Sequence, residues 1–108
     1  KKTSFVINEI TKASQEFVES TGLSPSVFCL GVSYKPDIDD IRESPALEII
    51  KELKIKRFEL IISDPRVKHI NGFKLTDFND LEELPGIVII LVKHKEYSLS
   101  EIKKVYQT

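Results

Sequence analysis

The sequence predicts a three-layer α/β domain built on a small parallel sheet and preceded by an amphipathic helix. Two observations carry that expectation. Apolar runs of strand length at 27–31 and 87–92 are nearly continuous rather than alternating, as in strands covered on both faces, and a further strand is read at 58–63. The segments between them place apolar residues at steps of three and four or end in turn signals, so strands and helices alternate along the chain and right-handed crossovers give a parallel sheet.

The elements follow in order. Phe5, Val6, Ile10, Ala13, Phe17 and Val18, with Lys12, Glu16 and Glu19 between them, describe a one-faced helix that should end near Gly22. Thr21-Gly22-Leu23-Ser24-Pro25 is a helix stop followed by a short loop, and Val27 to Gly31 is the first strand. Ser44-Pro45 pairs a good N-cap residue with proline at the first helical position, opening a helix with Ala46, Leu47, Ile49, Ile50 and Leu53 on its apolar face. Phe58 to Ser63 is the second strand, stopped by Asp64-Pro65. Val67 to Asp77 reads as an irregular connection with a short extended piece near Phe73 to Leu75.

Asn79 to Leu84 is expected to form one or two helical turns ended by Pro85-Gly86, and Ile87 to Val92 a buried third strand. Ser98 and Glu101 form a capping box for a last helix carrying Leu99, Ile102 and Val105. The order helix, strand, helix, strand, short helix, strand, helix is Rossmann-like. No strand precedes the first helix and none follows the last, which leads us to expect a piece of a larger protein.

Composition narrows the function. At 108 residues the chain has room for one domain, and its 16 basic and 17 acidic residues nearly cancel. A broad positive field for nucleic acid or a membrane surface is therefore not expected. No apolar run approaches the roughly 18 residues that span a bilayer, and the charged opening is unlike a signal peptide, so a cytoplasmic location is expected. The single cysteine, Cys29, lies in the apolar run Val27-Phe28-Cys29-Leu30-Gly31 and reads as a buried, inert thiol. With only His69 and His94 beside it, no metal-ligand spacing is present.

Ligands of open α/β sheets bind beyond the carboxyl ends of the strands, which directs attention to the long polar loop from Gly31 to Ser44. Lys35 and Arg42 lie between a strand end and a helix N-terminus, a combination that suits a phosphate or diphosphate. Lysine offers a mobile point charge and arginine a planar fork. Asp37, Asp39 and Asp40 would repel such a ligand if unpaired, so at least one should turn inward to cap amides or orient Arg42. The alternative is a solvated, charge-balanced connection.

With glycines at 22, 31, 72 and 86 the chain has neither G-x-G-x-x-G nor a P-loop, so it is not expected to carry its own NAD site. Asp64 ends the second strand where a ribose-binding acid often sits, but without those glycines its turn-forming role is favoured. His94 stands past the third strand at the same sheet edge. It could contact a ligand, although a solvated or backbone-bonded histidine is the commoner case, and His69 carries no functional argument.

At this loop the sequence resembles the UDP-glucose/GDP-mannose dehydrogenases. The similar stretch is LGVSYKPDIDDIRESPALEIIKEL, with the triplet Tyr34-Lys35-Pro36, the D-D-x-R element from Asp39 to Arg42 and the E-S-P-A helix start at Glu43. Asp64-Pro65 and IVIILVKHKEY extend the resemblance over about 27–105. It implies an NAD-dependent, four-electron oxidation of a sugar C6 alcohol to a carboxylate through enzyme-bound thiohemiacetal and thioester intermediates. In this picture 1–22 is the end of a central dimerisation helix and 23–108 the C-terminal UDP-sugar-binding domain. Tyr34 and Lys35 would contact the UDP-sugar, and Arg42 would reach NAD bound mainly by an N-terminal domain.

The form K-P-D-I-D-D-I-R-E-S-P-A is most similar to members acting on UDP-N-acetylhexosamines, UDP-N-acetylmannosamine dehydrogenases among them, which serve polysaccharide biosynthesis. The family's catalytic cysteine belongs to a glycine-rich motif that Cys29 does not match, and its dinucleotide fingerprint does not occur here. The isolated chain is therefore expected to be inactive and to bind UDP weakly at best, with a homodimer as the state of the whole enzyme. A stand-alone nucleotide-binding regulatory module and a purely structural assembly domain are the alternatives.

Overall fold

A computed structural model describes residues 2–34, 37, 40–77, 86–92, 94 and 95. The elements are α1 (Lys2–Thr21), β1 (Ser26–Leu30), α2 (Pro45–Ile55), β2 (Leu60–Ser63) and β3 (Gly86–Ile90). Among the described strands β1 pairs in parallel with both neighbours and is central in the order β2-β1-β3. Val27 stands beside Leu60 and Ile87, and Leu30 beside Ser63 and Ile90, so the three strands end level with one another. The α/β class, the parallel sheet and the leading amphipathic helix agree with the sequence reading. The expected short helix at 79–84 and the last helix from Ser98 lie outside the described residues.

The two-residue period of β1 divides its side chains between two faces. Val27 and Cys29 join Ile7 and Ile10 of α1, Ile49, Ile50 and Leu53 of α2, and Ile62 of β2 in one core cluster. Phe28 and Leu30, on the opposite face, are equally inaccessible to solvent. A strand buried on both sides has no use for polar alternation, which explains the continuous run.

Element ends differ from expectation in instructive ways. The buried stripe of α1 centres on Ile7 and Ile10, whereas Phe5 (65% exposed) and Val18 (43% exposed) face outward. The helix is 20 residues long, about 30 Å at 1.5 Å per residue; its second half carries no buried residue among those described. Ser44 caps α2 as expected, its Oγ accepting from the Leu47 N–H at 3.2 Å, with Pro45 in the first turn.

The second strand starts at Leu60 rather than Phe58, because Phe58 belongs to the exit of α2. Phe58 N–H donates to Leu53 O at 3.1 Å and Arg57 N–H to Lys54 O at 3.0 Å, a Schellman closure with Arg57 in the left-handed region at φ 66°. Glycine usually occupies that position, so an arginine there hides the boundary. The third strand is half-buried along its length instead of fully buried, since it flanks β1 instead of forming the middle of the sheet. The extended piece near Phe73 appears as isolated bridges pairing Ile62 with Leu75 and Ile70 with Phe73. Lys54 anchors that connection, its ammonium 2.9 Å from Gly72 O and 4.7 Å from the Phe73 ring centre.

Candidate functional site

The carboxyl ends of the strands open onto one edge, where the loops after β1, β2 and β3 meet. Gly31 begins the first loop at φ 92°, and an added Cβ would stand 2.8 Å from both Cβ and N of Val92. Only glycine lets the exits of β1 and β3 run this close, as the hydrogen bonds from Leu91 and Val92 N–H to Leu30 O show (2.8 and 3.3 Å).

Asp64, just past β2, ties the three exits together. Its Oδ1 accepts from the Arg66 and Val67 amides (2.7 and 3.0 Å), which closes the turn expected of Asp-Pro. Its Oδ2 accepts from Val32 N–H of the β1 exit at 2.7 Å and lies 2.9 Å from His94 Nε2 of the β3 exit. The side chains of Asp64 and His94 are both fully buried. The sequence reading assigned Asp64 its turn role alone; the structure adds a long-range one, which a local turn rule cannot reveal.

His94 passes the connection on. The Asp37 N–H donates to Nδ1 at 2.8 Å. A nitrogen that accepts carries no proton, so the ring is the neutral tautomer with its hydrogen on Nε2, aimed at Asp64. Ser33 Oγ is 3.3 Å from the same Nε2. The carboxylate of Asp37 in turn accepts the Lys95 N–H at 2.8 Å, and Arg66 Nη2 lies 3.8 Å away. That backbone bond, with the nearby Arg66 charge assisting against desolvation, draws the Asp37 carboxyl below its usual range. Asp37 adopts φ 65°, a left-handed conformation that aspartate tolerates better than most residues. His94 is thus a buried linker, not a group presented to a ligand.

The rest of the loop is closed by its own backbone and by a second aspartate. Tyr34 N–H donates to Asp40 O at 2.6 Å, and Ser44 Oγ donates to Val32 O at 2.7 Å. Asp40 accepts from the Arg42 backbone N–H at 2.9 Å and grips the guanidinium through Nε (3.1 Å) and Nη2 (2.8 Å). These bonds from Arg42 pull the Asp40 carboxyl down to about 2 and raise the guanidinium further. Of the three acids, Asp37 and Asp40 are therefore turned to loop amides and to Arg42, as the charge argument required, while Asp39 lies outside the described residues.

The arrangement presents Tyr34, 48% exposed, and Arg42, whose side chain is 86% exposed, on one strand-end loop. Lys35, expected between them, lies outside the described residues. Such a surface can hold an anion and stack or hydrogen-bond a polar ligand, but among the described residues it presents no thiol. Cys29 has no exposed surface, and burial pushes its thiol up to about 12. Among the described residues there is no group of three His, Cys, Asp or Glu able to hold a metal, and no helix long and apolar enough to cross a membrane.

Comparison with known proteins matches this geometry to a family. Residues 28–108 match the UDP binding domain of the UDP-glucose/GDP-mannose dehydrogenase family. UDP-N-acetyl-D-mannosamine dehydrogenase of Campylobacter jejuni is 32% identical over 96% of this chain and 26% of its own length. The enzyme of the same name from Escherichia coli K12 is 28% identical over 98% of the chain and 27% of its own. The native structure of UDP-N-acetyl-mannosamine dehydrogenase from Staphylococcus aureus superposes with a TM-score of 0.68 at 28% identity, covering 95% of this chain and 24% of that one. The chain thus spans about a quarter of the length of these relatives. With the family's domain matched over most of its residues, this chain belongs to the UDP-glucose/GDP-mannose dehydrogenase family, as its UDP-binding domain.

Proposed function

We propose that this chain is the UDP-sugar-binding part of an NAD-dependent nucleotide-sugar 6-dehydrogenase. The substrate we favour is a UDP-N-acetylhexosamine, with UDP-N-acetylmannosamine foremost, oxidised to its uronic acid for polysaccharide biosynthesis. The observation that carries this reading is the family match over the loop that presents Tyr34 and Arg42 at the strand ends. Tyr34 and Lys35 contact the UDP-sugar, with the lysine at its charged or hydroxyl oxygens. Residues 1–22 form the end of a central helix, residues 23–108 the binding domain, and the whole enzyme is a homodimer.

The chain's own groups fit the margin of an NAD site and not its cradle. Its glycines, at 22, 31, 72 and 86, cannot make the dinucleotide fingerprint, while Arg42 is charged, exposed and held in a fixed orientation by Asp40. NAD, when bound, supplies the hydride acceptor. Arg42 contributes a positive charge toward it from across the domain cleft, and Asp40 keeps that charge extended.

The test is the whole enzyme carrying this domain, assayed for reduction of NAD with UDP-N-acetylmannosamine, beside its Lys35→Ala and Arg42→Ala variants. We expect Lys35→Ala to raise KM for the UDP-sugar and Arg42→Ala to raise KM for NAD. Absence of turnover with every UDP-sugar, in an enzyme that still binds UDP, would instead favour a nucleotide-binding regulatory module.

A further inference from the structure

The buried Asp64–His94 pair has no part in the contacts proposed above, yet it lies beneath them. Asp64 receives one donor from the β1 exit, two from its own turn and one from the β3 exit. His94 then accepts the Asp37 N–H, three residues beyond Tyr34 on the loop that presents Tyr34 and Arg42. We infer that Asp64 and His94 are positioning residues: Asp64 fixes the tautomer of His94, and only that tautomer can hold Asp37 and, through it, the strand-end loop in its binding conformation.

The logic is one of donors and acceptors. An acceptor at Asp64 Oδ2 requires the hydrogen on Nε2, which leaves Nδ1 bare for the Asp37 amide. Asp64→Asn is nearly isosteric and its oxygen can keep the two turn amides at the Oδ1 position. Its NH2 group would then face both the Val32 N–H, which loses its acceptor, and His94 Nε2, which it turns into an acceptor. The proton moves to Nδ1, where it opposes the Asp37 N–H, and the buried contact becomes repulsive. The substitution thus breaks the Asp37 link and also withdraws the acceptor of the Val32 N–H, so His94→Phe, which keeps that acceptor, isolates the Asp37 link. Because Asp37 also bonds Lys95 through its carboxylate, release of its amide loosens the loop on the β3 side as well.

This inference rests on the UDP-sugar reading only for what the loop binds; whether the pair orders the loop is a separate measurement. The experiment is NMR on the full 108-residue chain, wild type beside Asp64→Asn and His94→Phe, with UDP as the ligand probe. His94→Phe serves as the second variant because it leaves Asp64 its three backbone donors. Ring nitrogen shifts read the tautomer of His94, and amide exchange reads Asp37 and Lys95 against Phe28 and Cys29 of β1.

The wild type should show the Nε2–H tautomer. Asp64→Asn should lose it, and both variants should raise exchange at Asp37 at least tenfold while β1 stays protected and UDP affinity falls about tenfold. Unchanged protection of Asp37 in both variants, with β1 intact, would overturn the inference whatever UDP does. Should the wild-type chain fail to bind UDP while the exchange effects appear, the positioning role stands, and loss of UDP binding in the whole enzyme as well would overturn the ligand reading.

Discussion

Asp40 and Arg42, two residues apart, hold each other through the arginine's Nε and Nη2, the closer contact being 2.8 Å, while the arginine side chain remains 86% exposed. An exposed ion pair of this kind adds little to stability. Its effect is to orient a charge. Nε and Nη2 are occupied from one side, which points the rest of the planar group away from the loop.

Because Arg42 draws the Asp40 carboxyl down to about 2 from an ordinary 3.8, the pair should survive mild acid. The sign follows from a depressed folded value: the pairing is fully present above about 3.8 and is lost as pH falls through about 2. An NMR titration of the Asp40 carboxyl carbon should give that low midpoint, and Arg42→Ala should return it toward 3.8. An unshifted midpoint in the wild type would mean that the pair does not persist in solution.

Gly31→Ala should destabilise the chain by about 3 kcal/mol, combining overpacking with a left-handed backbone that a Cβ disfavours. The cause is specific, since the new methyl would meet Val92 at the point where the exits of β1 and β3 converge. Gly22→Ala shares the positive φ but meets nothing within 4 Å, and should cost only about 1 kcal/mol. Urea unfolding of the two variants checks the contrast.

In the core, Leu53→Ala should cost about 3 kcal/mol, because the side chain is fully buried in the cluster shared with α1 and β1. Ile55→Ala, two residues on and 73% exposed, should change stability by less than about 0.5 kcal/mol. Chemical denaturation that found the two equivalent would show that α2 presents a different face to the sheet.

Cys29 should not react with a thiol reagent at pH 8 while the chain is folded, and should react fully once it is unfolded. Burial raises its folded value from 9.0 to about 12, so the related stability is intact below about 9 and falls as pH rises toward 12. Rapid labelling under native conditions would contradict the burial of β1.

Much of this was legible from residue pattern. The unbroken apolar run Val27 to Leu30 signalled a strand covered on both sides, and Ser44-Pro45 signalled the start of α2, because both rest on local chemistry. The second strand, expected from Phe58, starts at Leu60, since Arg57 occupies a left-handed position that sequence rules reserve for glycine and Phe58 closes the exit of α2. The loop was recognised from Tyr34, Lys35 and Arg42, and the need to pair its acids from charge alone. What the sequence left hidden was the support beneath it. Asp64 and His94 are 30 positions apart, and His94 reaches back 57 positions to Asp37. Only parallel pairing brings such residues to one edge, so short-range spacing carries no trace of the contact.

The most direct test of the central reading is calorimetric titration of the chain with UDP at low and moderate salt, wild type beside Lys35→Ala, repeated on the whole enzyme. Saturable binding that weakens with salt and is lost in the variant is the expected result. Binding to the whole enzyme that Lys35→Ala leaves unchanged would contradict it, and would place the nucleotide away from the strand-end loop.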